Sequence, residues 1–333
     1  MPIQTYRREF ELLDGTRKLH MMYDSDELST LELATAKVRA LRFVRRGAEI
    51  CANVHAKALG HKSGAAMLSA DPGRMLHTRL KDWFKLQVRR RQGTVWTSEA
   101  ANFVFDCFKS EWRLDRTTTT KTAFMRVFGA EAAALHEQCC RPAKDIDPAW
   151  KPRVEALLNT LLSVVAGLSL GDVYVFVRKM AAVGSASTSY GDWRYVGDRL
   201  EHLRLEQQLC AVSGSPPINI NIEYLRNEVE TPELSKSFGD YRNLYGENLT
   251  LEDHITKTFL HEASHKFAAT ADYYYYRPRT GALRCERGGD SPKSVGDLPA
   301  AETDRCIVNA DSIGWFLYYW GDGTATANLD RPK

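Results

Sequence analysis

The apolar residues recur along the chain at two different spacings, which predict helices separated by a few short strands. Between residues 31 and 58 they recur about every 3.5 residues, a spacing typical of one long amphipathic helix. A series after Pro152 and further series at 251–268 and 303–320 predict three more helices with a buried face. Shorter helices are predicted at 80–88 and 194–210.

Two segments predict strands. Residues 172–179 form a continuous β-branched and aromatic run, which is typical of a buried strand. At 218–224 isoleucines alternate with Asn219 and Asn221, which predicts a strand with one exposed face. This order of many helices and few strands predicts an α+β fold, mainly helical and with a small sheet.

Charge is distributed unevenly along the chain. The formal net charge is +3, and positive residues are concentrated in 1–110, in segments such as RFVRR (42–46) and VRRRQ (88–92). We interpret these segments as solvated helix faces, and binding to nucleic acid or an anionic surface is the alternative. The sequence therefore predicts a helical, basic N-terminal region at 1–110 and a second domain at 115–333.

The sequence also bears on membranes and on redox state. No apolar run is long enough for a membrane span, and the first residues contain no apolar core of a secretory signal. We therefore expect no membrane span, and a protein that is cytoplasmic or secreted by a non-classical route. The seven cysteines form no CxxC pair, so we expect mostly reduced thiols, with a Cys285–Cys306 bridge as the alternative.

The segment HEASH at 261–265 is a candidate metal site. Residues four apart lie on one face of a helix, so His261 and His265 can direct their imidazoles at one Zn²⁺. Glu262 lies beside them and could take a proton from a metal-bound water. Two surface histidines on an amphipathic helix are the alternative. The apolar residues around the motif favour a buried pair, which needs a partner such as a metal.

A catalytic zinc needs a third protein ligand, and Asp272 is the nearest carboxylate downstream. On a continuous helix Asp272 would lie about 10 Å along the axis from His265, at about 1.5 Å per residue. Zinc–ligand bonds of about 2.0–2.2 Å exclude that arrangement. The sequence therefore predicts that the helix ends near Ala268 and that the chain turns back.

Three motifs in this order resemble those of the aspzincin metallopeptidases. HEASH and then ATADYYYY are similar to the family's HExxH and GTxDxxYG, and NADSIGWF (309–316) is similar to the NADSxxYF segment of the deuterolysin and peptidyl-lysine metalloendopeptidase branch. The resemblance covers about residues 115–320. It implies a zincin-like metallopeptidase domain there, one zinc ion, and a protein or peptide substrate.

The resemblance also implies roles for individual residues. His261, His265 and Asp272 would be the zinc ligands, and Glu262 would be the general base. Tyr275 would stabilise the oxyanion of the tetrahedral intermediate, a role that suits a phenolic O–H near a metal. Tyr274 or Tyr276 would replace it in a different register.

Asp311 falls on the aspartate of the NADS segment, which in the lysine-specific branch receives the lysine ammonium in the S1′ pocket. Its alternative role is a structural cap or a hydrogen-bonding partner of a ligating histidine. Three departures affect the site. The gap between His265 and Asp272 is shorter than in the lysine-specific pattern, and Ala269 and Tyr276 stand where the family has glycines. Gly314 stands where the lysine-specific members have a second acidic pocket residue. If Asp272 is not the third ligand, Glu286 or Glu302 is the alternative.

Together these features predict a zinc-dependent endopeptidase that prefers Lys or Arg at P1′, with extra space for Arg at Gly314. The exposed side of the 218–222 strand, with Asn219 and Asn221, is expected to bind the extended substrate by β-augmentation. Delivery as a toxin or effector by a specialised secretion route is one expectation for its biology. The alternative is a non-proteolytic protein that binds nucleic acid or an anionic surface and holds a structural zinc. The sequence favours a protein substrate over nucleic acid.

Overall fold

The structure is a computed structural model, and it describes the chain in segments. The described residues are 3–76, 78–79, 106–108, 110–169, 172–179, 186–187, 217–222, 251–277, 282–285, 293–294 and 300–322. The helices predicted at 80–88 and 194–210 lie outside these segments.

The structure gives both ends of eight α-helices. They are α1 (Thr30–Ala58), α2 (Gly64–Ala70), α3 (Thr118–Val127), α4 (Ala132–Cys139), α5 (Lys151–Ser169), α6 (Leu251–Ala268), α7 (Ala300–Cys306) and α8 (Ala310–Gly321). The predictions for α1, α5 and α6 are confirmed, whereas the segment predicted as one helix at 303–320 is divided between α7 and α8. Helix α1 begins with a capping box, in which Ser29 accepts the N–H of Glu32 and Glu32 accepts the N–H of Ser29.

The strands form two sheets. The larger sheet has the order β1-β2-β3-β5-β4, with β1 at Ile3–Leu12, β2 at Gly15–Asp24, β3 at Asp172–Arg178, β4 at Ala186–Ser187 and β5 at Ile218–Asn221. Strands β2, β3 and β5 run parallel, and β1 and β4 pair antiparallel at the two sides. The smaller sheet contains β6 (Tyr274–Arg277), β7 (Ala282–Cys285) and β8 (Lys293–Ser294). The mixed, α+β character of the chain is confirmed, with more strands than the sequence predicts.

The prediction of a helical N-terminal region is wrong for its first residues, Ile3–Leu12 and Gly15–Asp24. Strands β1 and β2 form a hairpin there, and Gly15 at its turn has a φ of 134°, which favours glycine. Most residues of β1 are exposed or half-buried, and many of them are polar. The strand therefore lacks the apolar pattern that would predict it from the sequence. Strand β2 pairs with β3, and α1 packs against α5, α6 and α8. The described residues before and after 110 therefore share one sheet and one core.

The prediction for the 218–224 strand is correct in type and wrong in exposure. Strand β5 lies between β3 and β4, so it is not the last strand of its sheet. Asn219 and Asn221 are buried, with 2% and 5% of their surfaces exposed. A strand inside a parallel sheet is covered on both faces, so β5 does not have the exposed face that the alternation predicts. Neither asparagine is placed to bind an extended substrate.

The core is built where α6 meets α1, α5 and α8. A close approach is needed at Gly47 of α1, where an added Cβ would lie 2.8 Å from the ring of Phe259. Cys306 is buried, and the side chain of Cys285, its partner in the alternative bridge, lies outside what the structure describes. Within the described residues, none of the helices combines the length and apolar character needed to cross a membrane.

Candidate metal centre

Helix α6 carries both histidines and ends where the sequence predicts. Its last residue is Ala268, and Ala269 follows with a φ of 51°. A residue in this left-handed conformation commonly ends a helix and redirects the chain. The prediction that the helix stops near Ala268 and turns back is therefore confirmed.

The returning chain is held by the segment that leads into α8. Ala271 and Asn309 form a β-bridge, and the side-chain oxygen of Asn309 accepts the N–H groups of Tyr273 and Tyr274 at 2.9 and 3.0 Å. The amide of Asn309 donates to the carbonyl of Tyr274 at 2.9 Å. Asn309 is fully buried, and these bonds fix the loop that contains Asp272. The pattern along the sequence does not predict this role of Asn309.

The three predicted ligands lie together. Nε2 of His261 and Nε2 of His265 are 3.2 Å apart, and each is 3.2 Å from Oδ1 of Asp272. Ligand atoms on a tetrahedron with bonds of about 2.0–2.1 Å are separated by about 3.3–3.4 Å. The three atoms are therefore separated by nearly the distance that ligands of a zinc ion have.

The other ring nitrogens face hydrogen-bond acceptors. Nδ1 of His265 lies 2.8 Å from the carbonyl oxygen of Thr270, and Nδ1 of His261 lies 3.4 Å from Oδ1 of Asp311. A proton on each Nδ1 would leave the Nε2 lone pairs directed at Asp272, so three electron-rich atoms would meet at one point. Such a donor set is suited to a cation, and the acceptors behind the rings are of the kind that orient metal-ligating histidines.

The cluster of His261, His265 and Asp272 has electrostatics in which protons and a cation would compete for the same atoms. Burial opposes charge on His261, but its partners Asp272 and Asp311 outweigh burial and raise the pKa of His261 to about 10. Burial also opposes charge on His265, and Asp272 raises its pKa above the ordinary value. Burial would raise the pKa of Asp272, yet the two histidines hold it well below its usual range. A metal that binds here must therefore displace protons.

Glu262 lies beside the three ligand atoms without belonging to the cluster. Its Oε1 is 3.8 Å from Nε2 of His261, and its side chain is buried. The side chains of His265 and Asp272 are 15% and 26% exposed, so the cluster reaches solvent on their side. This arrangement places a carboxylate next to a cluster that reaches solvent on one side.

The residues proposed for the oxyanion fall in β6. Tyr274 and Tyr276 are buried, so neither phenol lies on the surface, whereas Tyr273 is 38% exposed. The backbone of Tyr275 pairs with Arg284, but the side chain of Tyr275 lies outside what the structure describes. The alternative ligand Glu286 and the side chain of Glu302 also lie outside it.

Asp311 is placed at the start of α8, and only 1% of its surface is exposed. Its Oδ1 accepts from Nζ of Lys257 at 2.8 Å, and its Oδ2 accepts the N–H of Tyr276 at 2.6 Å. The carboxylate is thus surrounded by groups of the chain itself. This geometry favours the alternative role, a partner of the ligating His261, over the receptor of a substrate lysine.

Gly314 does not open space in a substrate pocket. A Cβ at this position would lie 3.0 Å from the backbone nitrogen and 3.1 Å from Cα and Cβ of His261. The glycine allows α8 to approach α6 directly behind His261. The expectation of extra room for a substrate arginine at Gly314 is therefore wrong.

Lys257 is the main residue that sequence analysis missed. It lies four residues before His261, so the two side chains share one face of α6. A lysine at this spacing before an HExxH motif, combined with a later aspartate, is a signal that the sequence contains. Its partner could be identified only from the packing of α6 on α8.

Comparison with protein-family models, curated proteins and solved structures found no match to this chain. The aspzincin resemblance accordingly rests on the three motifs, and the case for a metal rests on the geometry of the cluster. Within the described part of the chain, His261, His265 and Asp272 are the one group of three or more ligand residues close enough to share an ion.

Proposed function

We propose that this protein is a zinc-dependent endopeptidase of the aspzincin type. The observation that carries the proposal is the triangle of ligand atoms from His261, His265 and Asp272, with sides of 3.2 Å. Two neutral imidazoles and one carboxylate form a ligand set that zinc commonly has in proteins. Glu262, the general base of the HExxH pattern, has its Oε1 3.8 Å from Nε2 of His261, which supports this proposal.

The number of ligands supports a catalytic metal over a structural one. Structural zinc sites are closed by four protein ligands, whereas catalytic sites have three and leave one position for water or substrate. Among the described residues the cluster has three. The partial exposure of His265 and Asp272 supports access of a substrate to the fourth position.

The residues would act in the following way. Zinc, when bound, lowers the pKa of a water molecule towards neutrality and polarises a peptide carbonyl. Glu262 takes the proton from the water and transfers it to the leaving amine. Thr270 and Asp311 orient the two imidazoles through their Nδ1 atoms. The hydroxyl of Tyr275 is proposed as the donor to the oxyanion.

The substrate is proposed to be an extended peptide. Within the described residues β4 is the last strand on its side of the larger sheet, next to β5 and in contact with α6. Strand β4 therefore replaces β5 as the candidate edge for β-augmentation. A preference for Lys or Arg at P1′ is not part of the proposal, because Lys257 already pairs with the carboxylate of Asp311.

Digestion of a peptide library with and without a chelator tests the proposal, together with zinc analysis of the purified protein. We expect one zinc per chain and cleavage that chelation abolishes. Glu262→Gln should keep the zinc and lower kcat/KM by about 10²–10⁴-fold, the usual contribution of a general acid–base group. A zinc-loaded wild-type protein that cleaves no peptide would support the non-proteolytic alternative instead.

A further inference from the structure

Lys257 is a buried cation directly behind the metal cluster. Only 4% of its surface is exposed, and its Nζ lies 2.8 Å from Oδ1 of Asp311 and 5.1 Å from the centre of the Trp315 ring. A charged group at this depth is costly unless it is paired, so the ion pair is an obligatory part of the packing. The pair joins the middle of α6 to the first turn of α8.

The same oxygen of Asp311 meets both Lys257 and His261. Oδ1 is 2.8 Å from Nζ of Lys257 and 3.4 Å from Nδ1 of His261, whereas Oδ2 is held by the N–H of Tyr276. The carboxylate is therefore fixed from two sides, by a charged side chain and by the backbone of β6. Its Oδ1 is thereby held facing Nδ1 of His261.

We propose that Lys257 is a positioning residue, which holds the Asp311 carboxylate so that His261 presents its Nε2 to the metal. The inference rests on the proposed zinc site and deepens it. Lys257 would act through Asp311, whose Oδ1 faces both Nζ of Lys257 and Nδ1 of His261. Groups behind a metal-ligating histidine usually contribute about 10–100-fold to metal affinity.

Two physical effects of removing Lys257 have opposite signs, which makes the inference testable. Removing a positive charge near a cation should strengthen zinc binding by electrostatics alone. Releasing the carboxylate from its anchor should weaken zinc binding, because the imidazole is then less well oriented. A loss of affinity on removal therefore identifies positioning, and a gain identifies a simple charge effect.

The experiment measures zinc affinity by competition with a chelator and records the visible spectrum of the Co²⁺-substituted protein. The variants are Lys257→Met, Asp311→Asn and the double variant Lys257→Met/Asp311→Asn. Lys57→Met is the matched control, because Lys57 also contacts α8, donating to the carbonyl of Trp320 at its far end. Lys257→Gln, which retains a donor, replaces Lys257→Met if that variant fails to fold.

We expect Lys257→Met and Asp311→Asn each to weaken zinc binding by about 10–100-fold and to change the Co²⁺ spectrum. The double variant should lose no more than the larger single loss, because both changes interrupt one chain of contacts. Lys57→Met should leave both readouts unchanged. A Lys257→Met protein with wild-type or tighter zinc affinity would overturn the inference, as would losses that multiply in the double variant. A wild-type protein that binds no zinc would instead refute the proposed function.

Discussion

At the scale of single residues, Asp272 is the proposed ligand whose position the HExxH spacing does not determine. Helical geometry alone brings His261 and His265 together, but Asp272 reaches them only because the chain reverses at Ala269. The reversal depends on the left-handed backbone of Ala269 and on the bonds that Asn309 makes to the returning chain. These two positions are therefore as important for the cluster as the ligands themselves.

The first prediction concerns the identity of the third ligand. Asp272→Ala should weaken zinc binding by more than the roughly 10–100-fold typical of an outer partner, because it removes a direct ligand. Zinc content after dialysis against a graded chelator series measures the effect. Glu286→Ala and Glu302→Ala are the controls and should retain zinc. Retention of zinc by Asp272→Ala, with loss in either glutamate variant, would contradict the assignment.

The second prediction concerns Ala269, which stands where the aspzincin pattern has glycine. A left-handed backbone costs a residue with a Cβ about 1–2 kcal/mol, and glycine loses about 0.5–1 kcal/mol more entropy on folding. Ala269→Gly should therefore raise the free energy of unfolding by up to about 1 kcal/mol. Urea denaturation measures it. The control is Ala34→Gly on the exposed face of α1, which should lower that free energy by about 1 kcal/mol. Equal destabilisation by both changes would show that Ala269 is not strained.

At the scale of elements, the site is formed by the contact between α6 and α8. Helix α6 supplies His261, His265 and Lys257, and the first turn of α8 supplies Asp311. Gly314, one turn further along α8, lies against the backbone of His261. The separation of the two helices at this point sets the distance between the histidine and its carboxylate.

The third prediction follows from that separation. In Gly314→Ala the added Cβ would lie 3.0–3.1 Å from three atoms of His261, so one helix must move. Overpacking of this kind costs about 1–3 kcal/mol of stability, and it should also weaken zinc binding by displacing His261. Urea denaturation and chelator competition measure the two effects. Gly73→Ala is the control, since the nearest atom to its Cβ is 3.6 Å away, and it should change neither quantity. Unchanged zinc affinity in Gly314→Ala would show that the contact between α6 and α8 does not affect the metal site.

At the scale of the whole molecule, the sequence predicts those features that depend on local spacing. The helices α1, α5 and α6, the strand β3 and the end of α6 at Ala268 follow from periodicity and from the reach of zinc bonds. The pairing of β2 with β3 and the burial of Asn219 do not, because they depend on which distant segments become neighbours. The Lys257–Asp311 pair is not predicted for the same reason, since its members are 54 positions apart. The motif resemblance implies a substrate pocket at Asp311. Its partner, Lys257, is identified only by the packing of α6 on α8.

The last prediction is a pH dependence of stability that zinc reverses. In the metal-free protein the pKa of His261 is raised from 6.5 to about 10, and that of His265 is also raised. A raised pKa contributes stability that is fully present below about pH 6.5 and is lost as the pH rises towards 10. The lowered pKa of Asp272 acts oppositely, and its contribution is lost only below about pH 3.8.

Zinc requires the deprotonated imidazoles, so it binds more tightly as the pH rises through the same window. The increase in melting temperature on adding zinc should therefore grow from pH 5.5 through 7 to 8.5, while the chelator-treated protein becomes less stable. Thermal denaturation in zinc and in chelator at these three values measures both trends. Asp272→Asn is the control, because it removes the main partner that raises both histidine pKa values and should flatten the decline in chelator. A zinc-induced shift of equal size at all three pH values would show that the ion does not compete with protons on His261 and His265, and hence that it binds elsewhere.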